Sequence, residues 1–398
     1  MRYKPSESLT SCLKAALLAR LDPGLAIPVE AEKNAGILSR SLSFLTTAIL
    51  GLLEPLSVAY GNGVAIRNWL YETGRLKTYR PPCPTVCVGN ITAGGTGKTP
   101  AVILVCQLLR EMGRRPALLS RGYGRRERAV RVLTAAELEA LGPRQALARF
   151  GDEVLTIASH MPDLPIVVSQ DRAAAARAAC DRFAPDVLVM DDGFGHLRLE
   201  RDLDILMLDA RSPFANGRLL PRGLLREPVW AIQRAKVAIV SRTDQCTPDQ
   251  LAATDEAIRL HNPDITLIHS VHRPTGLRRV SDQQLLLLSH LSAKKVLAVC
   301  GIARPNSFFA TLSELGAVVT GVPFADHHIF TKREVERLVA RRQSGGFDFM
   351  VTTEKDVPRL LNLSRDEAQK VFALVVQLEL IDNGAERLRK SLEDAIKR

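Results

Sequence analysis

The chain has 398 residues, 46% of them hydrophobic and 24% charged, a balance that is typical of a folded protein with a large core and excludes a disordered chain. The 54 Lys and Arg residues outnumber the 43 Asp and Glu residues, and the formal charge of +11 favours anionic partners such as nucleotides, phospholipid surfaces or phosphorylated substrates. Seven scattered cysteines without a Cys-x-x-Cys pair argue against a disulfide framework or a zinc site, and 5% aromatic residues argue against a stacking platform for single-stranded nucleic acid.

The first 80 residues divide into two segments. Residues 1–40 are predicted to be a poorly ordered extension, and residues 41–80 an apolar helical segment that also carries Tyr60, Trp69, Tyr71 and several arginines. This mixture favours a helix that lies in the headgroup plane of a membrane, although a helix packed on its own domain is an equally good interpretation. No run of 18 apolar residues occurs, so the sequence predicts no clean transmembrane helix.

From residue 81 onward strands and helices alternate, which predicts an α/β fold with a mostly parallel sheet. A first domain is predicted at 81–270 and a second, smaller α/β domain at 271–380, followed by a C-terminal helix at 381–398. Apolar strands at 265–271 and 371–380 would join the domains as a two-strand linker. The predicted strands of the first domain are 85–88, 116–120, 166–169, 186–190, 205–208 and 237–240, and those of the second are 296–300, 318–322 and 349–352.

Residues 85–100 read as strand, glycine-rich loop, Gly97-Lys98-Thr99 and helix, which is the order of a P-loop, although Thr92 stands where the general pattern has its first glycine. The glycines let backbone N–H groups surround phosphate oxygens, Lys98 can reach the β- and γ-phosphates, and Thr99 can ligate Mg²⁺. The sequence therefore predicts ATP and Mg²⁺ as cofactors and a P-loop NTPase-type three-layer α/β/α domain. The predicted nucleotide-binding residues are Thr92, Ala93, Gly94, Gly95, Thr96, Gly97, Lys98 and Thr99.

Asp191 and Asp192 directly follow the predicted strand 186–190, where a P-loop protein needs a carboxylate that holds the metal. The Asn-Lys-x-Asp motif of GTPases does not occur in the sequence. The residue before the Gly-Gly pair is Ala93 rather than the lysine of membrane-partitioning ATPases. A kinase or another ATPase remains.

These motifs resemble those of the tetraacyldisaccharide 4′-kinases, a family that phosphorylates a lipid A precursor. Two features depart from the family pattern. Gly195 replaces the usual glutamine and is expected to remove a polar contact, and Arg222 and Leu224 replace the usual alanine and proline, a change expected to add a charge that faces phosphate. The resemblance covers roughly residues 46–361, with matching segments at 88–100, 120–125, 151–153, 191–196, 216–228, 326–328 and 353–356.

The resemblance implies that Asp152 accepts the proton of the acceptor hydroxyl, with support from Asp326, His327 and His328 that requires domain closure. Judged from the residues alone, a helix N-cap and a surface turn are the favoured interpretations of these groups. The predicted catalytic residues are thus Asp152, Asp326, His327, His328 and Lys98, and the predicted metal ligands are Thr99, Asp191, Asp192 and Glu153. The predicted substrate-binding residues are Arg121, Tyr123, Arg172, His196 and Arg226. For the three arginines, a structural salt bridge is the alternative interpretation.

The predicted function is transfer of the ATP γ-phosphate to the 4′-hydroxyl of a tetraacyl glucosamine disaccharide 1-phosphate at the cytoplasmic face of a bacterial inner membrane. The predicted partners are the acylated disaccharide lipid and the anionic membrane surface. No obligate protein partner is expected, and no nucleic acid either, because no reading motif accompanies the basic stretch 110–131. A membrane-associated regulatory P-loop ATPase and a soluble sugar or nucleoside kinase remain as alternatives.

Overall fold

The structure of the protein is a computed structural model that describes residue 21 and residues 49–123, 125 and 129–397. Apart from Leu21, the predicted extension at 1–40 lies outside the described residues. The predicted membrane-interface segment 41–80 is described from residue 49 onward.

The described residues form one continuous sheet of 13 strands in the order β11-β10-β12-β13-β8-β7-β6-β1-β5-β2-β4-β3, with β9 paired to β8. Strands β3, β8, β9 and β13 make antiparallel pairings, while the other neighbours are parallel. The strands are β1 Thr85–Gly89, β2 Pro116–Ser120, β3 Arg131–Leu133, β4 Ile166–Val168, β5 Val187–Asp191, β6 Leu203–Asp209, β7 Val237–Ser241, β8 Thr266–Arg279, β9 Leu285–Leu286, β10 Lys295–Cys300, β11 Val318–Pro323, β12 Phe349–Thr353 and β13 Val371–Leu380.

Helices cover both faces of this sheet. Alternate residues of β1 point to opposite sides. Val86 and Val88 join a core with three helices, Lys98–Glu111, Asp152–His160 and Gly384–Ile396, while Cys87 packs with the alanines of the helix Arg172–Phe183. Two helix-covered faces make three layers, and they confirm the predicted α/β/α class. The helices are α1 Glu54–Glu72, α2 Lys98–Glu111, α3 Ala135–Glu139, α4 Pro143–Phe150, α5 Asp152–His160, α6 Arg172–Phe183, α7 Pro248–His261, α8 Pro305–Glu314, α9 Lys332–Ser344, α10 Arg365–Ala368 and α11 Gly384–Ile396.

Strand β1 lies at the centre of the amino-terminal half of the sheet, between β5 and β6. Val88 pairs with Asp191 of β5, and Gly89 pairs with Leu206 of β6. Because all three strands are parallel, their carboxyl ends meet at one edge. This edge carries the glycine-rich loop and the Asp191-Asp192 pair.

Strands β8 and β13, which cover the predicted two-strand linker, are antiparallel to each other and connect the two parallel halves of the sheet. Strand β8 extends well past the predicted end at residue 271, through Pro274 and Gly276. Both residues normally weaken a strand, but a register shift between Val375 and Val376 of β13 accommodates them.

Candidate active site

The glycine-rich loop connects β1 to α2, as predicted. Gly97 has a left-handed backbone conformation (φ 84°) and precedes Lys98, the first residue of α2. Arg242, at the end of β7, donates a hydrogen bond of 2.9 Å to the carbonyl oxygen of Gly95 and braces the loop from the side. The free N–H groups of the first turn of α2 can therefore meet an anion held by the loop.

Gly97→Ala is expected to raise the dissociation constant for ATP at least about tenfold, because the added Cβ both strains the backbone and clashes with a neighbouring side chain. The positive φ disfavours any residue other than glycine, and the Cβ would lie 2.5 Å from Nε2 of His272. Isothermal titration calorimetry measures the affinity. Gly142→Ala is the control, since a Cβ there meets nothing within 4 Å; equal affinity of Gly97→Ala and the control would contradict the expected loop geometry.

Asp191 is a buried carboxylate at the end of β5. Its Oδ2 accepts a hydrogen bond of 3.2 Å from the hydroxyl of Ser120. Burial and the negative charges of Glu153 and Asp192 raise the pKa of Asp191 to about 7. A divalent cation beside such a group of carboxylates would favour their ionised forms.

The oxygen donors at this edge suit Mg²⁺, because the carboxylates of Asp191 and Asp192 and the hydroxyl of Thr99 are hard ligands. Among the residues that the structure describes, no group of three or more His, Cys, Asp or Glu side chains could hold a metal ion alone. Mg²⁺ at a P-loop takes few protein ligands and completes its shell with phosphates and water, so the incomplete protein set agrees with this chemistry. Glu153, a further predicted ligand, pairs with Lys355 at 2.9 Å and lies close enough to Asp191 for its charge to raise the pKa of that residue.

Asp192 lies between two cations. Lys98 Nζ is 3.7 Å from its Oδ1, and the guanidinium of Arg226 donates to both carboxylate oxygens, at 3.0 and 2.8 Å. Burial alone would raise the pKa of Asp192, but the hydrogen bonds from Arg226 and the charge of Lys98 hold it far below its usual range. Arg226, predicted to contact substrate, thus orients this carboxylate.

Asp152 is the first residue of α5, and its side chain is buried. Its Oδ2 lies 2.8 Å from Nδ1 of His327 and 3.3 Å from Nε of Arg359. Burial would raise the pKa of Asp152, but the hydrogen bond and charge of His327 and the charge of Arg359 lower it overall. Asp152 is therefore ionised at neutral pH, and His327 completes a carboxylate–imidazole pair.

Of the three predicted supports for Asp152, only His327 touches it. His328 Nε2 lies 3.1 Å from Glu334, and its ring stacks on Phe324. Asp326 accepts a hydrogen bond from the backbone N–H of His327. These two residues thus shape the turn that carries His327. His327 Nδ1 and Asp152 Oδ2 are in contact in this structure, at 2.8 Å.

Lys355 and Arg359 were missed by the sequence reasoning, although residues 353–356 belong to a matching segment. Arg359 is almost fully buried, and besides Asp152 it contacts Asp356 at 3.0 Å. A buried guanidinium between two carboxylates fixes both of them. The sequence signal for these two residues was the Thr-Glu-Lys-Asp motif followed by an arginine three residues later. The motif did not reveal their role, because their partners Asp152 and Glu153 lie far away in the chain.

A cleft of about 610 Å³ opens beside Asp192. Arg172 lies almost fully buried in its wall and donates to the carbonyl oxygens of Ser169 and Asp191. Burial and the charges of Arg172 and Arg121 lower the pKa of His196 to about 4, so this imidazole is neutral at pH 7. Tyr123 lies elsewhere, exposed and 5.2 Å from the His327 ring. The cationic and aromatic lining of the cleft is Tyr60, Arg67, Tyr71, Arg121, Arg172, His196, Arg198 and Arg226.

Helix α1 borders the cleft and exposes apolar side chains, among them Leu56, Ile66 and Trp69. Of the described helices, only the one that spans Ile49–Glu72 is long and apolar enough to cross a membrane. This helix corrects the expectation, drawn from uninterrupted apolar runs, that no helix would meet that criterion. Arg222, expected to face phosphate, pairs instead with Glu54 at the start of α1.

The loop that connects β1 to α2 has the form of a phosphate-binding loop, and its Lys98 lies close to Asp192. A buried carboxylate pairs with an imidazole in the same protein. Together these features define a P-loop phosphotransferase site. A family model described as "Tetraacyldisaccharide-1-P 4'-kinase" matches residues 49–397. The chain belongs to this family, which confirms the resemblance drawn from its motifs.

Individual relatives agree with the family model. A tetraacyldisaccharide 4'-kinase of an Anaeromyxobacter species is 40% identical over 87% of this chain and 92% of its own length, and one of Geobacter metallireducens is 38% identical over 88% and 98%. The crystal structure of LpxK from Aquifex aeolicus in complex with ATP is 27% identical, with a TM-score of 0.69 over 87% of this chain and 99% of that one.

Proposed function

We propose that this protein transfers the γ-phosphate of ATP to the 4′-hydroxyl of a tetraacyl glucosamine disaccharide 1-phosphate. The observation that carries the proposal is that two sets of groups lie near each other. Lys98 lies 3.7 Å from Asp192 where β1 and β5 end, and Glu153, the neighbour of Asp152, is close enough for its charge to raise the pKa of Asp191. Phosphoryl transfer needs charge neutralisation, positioning and a proton acceptor, and these groups supply all three. Membership of the kinase family supports the choice of acceptor.

The nucleotide phosphates are held by the backbone N–H groups of residues 94–99 and by Lys98, which reaches the β- and γ-phosphates. Ala93, predicted to belong to this set, donates its N–H to the carbonyl oxygen of Leu224 at 2.7 Å instead. Thr99, Asp191 and Asp192 would hold Mg²⁺, which supplies neutralisation of the developing phosphate charge when bound. Arg226 keeps the Asp192 carboxylate oriented, and Lys355 keeps Glu153 in place beside Asp152.

Asp152 accepts the proton from the acceptor hydroxyl, and the adjacent His327 orients it and stabilises the transferred proton. Arg359 contacts the same carboxylate oxygen as His327 and restricts its rotation. Because the pKa of Asp152 is lowered, the carboxylate is in the accepting form across the neutral range.

The cationic cleft next to Asp192 receives the head group of the acceptor. Arg121 and Arg198 line it together with the tyrosines of α1, and guanidinium groups suit the phosphate that the acceptor already carries. The acyl chains of such an acceptor stay in the bilayer, beside the apolar face of α1.

The proposed location is the cytoplasmic face of the bacterial inner membrane, with α1 and the anionic lipid surface in contact and without an obligate protein partner. Replacing Leu56, Ile66 and Trp69 together by serine is expected to shift the protein from the lipid to the aqueous fraction in vesicle flotation. All three side chains are exposed, so the fold does not depend on their burial. Leu260→Ser, which alters the exposed end of α7, is the control; unchanged flotation of the triple variant would contradict the membrane role of α1.

An assay with γ-labelled ATP separates the proposed function from the two alternatives. A lipid kinase moves the label into the organic phase when the disaccharide lipid is present. A regulatory ATPase would release labelled phosphate in response to lipid and leave the lipid unlabelled. A soluble kinase would label a deacylated disaccharide at full rate without detergent.

A further inference from the structure

Helix α1 carries a polar face that is seated on the loop leading to Arg226. The hydroxyl of Tyr60 donates to the carbonyl oxygen of Arg226 at 2.9 Å, and the hydroxyl of Ser57 donates to that of Leu219 at 2.8 Å. The helix that exposes apolar residues is therefore in direct contact with the loop that orients Asp192.

The centre of this contact is Glu227, a buried carboxylate next to Arg226. Arg67 of α1 lies 2.5 Å from its Oε1, and Asn68, which has no exposed surface, donates to its Oε2 at 3.3 Å. Arg234 provides a third partner at 3.5 Å. A buried carboxylate depends on such partners, since leaving it unpaired is strongly unfavourable; two of the three come from α1.

The backbone of Gly195 also approaches Glu227 closely. A Cβ at Gly195 would lie 2.9 Å from Oε1 of Glu227. A side chain there would press on the carboxylate that Arg67 and Asn68 hold. The Asp191–His196 loop, the Arg226-Glu227 segment and α1 thus share one packed junction.

We propose that Arg67 and Asn68 are positioning residues that act through Glu227 on Arg226 and Asp192, so that α1 holds the metal-binding carboxylate in place in addition to contacting lipid. The two hydrogen bonds from Arg226 to Asp192 require the guanidinium to face both carboxylate oxygens, and the position of the Arg226 backbone sets that geometry. Glu227 provides that constraint, and α1 holds Glu227. The inference rests on the proposed kinase function.

Asn68→Asp tests the proposal, because the new carboxylate faces Glu227 while the buried position cannot touch lipid. The expected result is a kcat reduced about 10- to 100-fold, the usual cost of losing a partner behind a metal ligand. The Mg²⁺ concentration for half-maximal nucleotide binding should rise, and the lipid KM should stay within about threefold. Adding Glu227→Gln to the same chain should restore much of the kcat, since the amide of the glutamine can donate to the carboxylate introduced on α1.

Hydrogen exchange of the amides of residues 219–228 gives a readout that needs neither metal nor lipid, and these amides should exchange faster in Asn68→Asp. Gly195→Ala should also lower kcat and speed the exchange of these amides, because its Cβ would push against Oε1 of Glu227. Asn262→Asp is the matched control, a buried asparagine that donates to the carbonyl oxygens of Ile232 and Ala235; it should lower Tm and leave kcat unchanged.

Two results would overturn the proposal: an unchanged kcat in Asn68→Asp, or a lower kcat that Asn262→Asp reproduces for the same loss of Tm. A wild-type protein that labels no lipid would defeat the proposed function instead. The exchange and nucleotide-binding measurements would then still decide whether α1 holds the Arg226 loop.

Discussion

Lys98→Ala is expected to lower the rate of phosphoryl transfer on the order of a thousandfold while the protein stays folded. Lys98 is the cation at the end of the P-loop, 3.7 Å from Asp192, and the charge that it would neutralise develops on the transferred phosphate in the transition state. Removal of one preorganised group of this kind typically costs about 10²–10³ in kcat, and a charge in a water-excluded site is worth more.

Single-turnover assays with γ-labelled ATP measure this effect, and thermal unfolding measures the integrity of the fold. Lys294→Ala is the matched control, an exposed lysine that pairs with Asp348 at 3.6 Å away from the site. Turnover of Lys98→Ala within a few fold of the control would remove the assignment of the loop to phosphate binding.

Asp152→Asn is expected to reduce kcat about 10²- to 10⁴-fold with a small effect on the affinity for ATP. The asparagine keeps the size of the side chain but cannot accept a proton, and the contact with Nδ1 of His327 loses its charge. Asp152 lies at the start of α5 and contacts His327 and Arg359. The phosphate-binding loop therefore keeps its geometry in the variant.

His327→Gln provides the comparison for Asp152→Asn. If the two residues act as one unit, the double variant should lose little more activity than Asp152→Asn alone. A variant Asp152→Asn that weakens ATP binding and keeps kcat would show that Asp152 is not the proton acceptor.

The phosphate-binding loop and its acidic partners were predictable because short-range spacing encodes them. A β-rich run before the glycines and a helix after Lys98 leave few alternatives to a P-loop. Asp191 and Asp192 end a buried strand, and parallel strands bring their carboxyl ends together. The structure confirms this part of the fold at the predicted edge of the sheet.

The pairing of Asp152 with His327 came from the family resemblance, since no local pattern connects residues that far apart. The contacts of Arg359 and Lys355 were not predicted for the same reason: they depend on how β12 and the following turn approach α5. Strand β8 was predicted too short because Pro274 and Gly276 look like breakers until the bulge in β13 is known.

The role of the polar face of α1 was also hidden in the sequence. Arg67 and Asn68 look like ordinary exposed residues of an amphipathic segment, and only the fold brings them to Glu227. In the same way Arg222 looked like an additional phosphate ligand, whereas its partner is Glu54.

The position of the new phosphate on the product tests the account most directly. The purified protein is incubated with MgATP and the tetraacyl disaccharide 1-phosphate, and phosphorus–proton correlation NMR of the isolated lipid then locates each phosphate. The account predicts one new phosphate, on the 4′-oxygen, formed by the wild type and lost in Lys98→Ala. The account would be contradicted if the wild type consumed ATP and the isolated lipid still carried only its 1-phosphate.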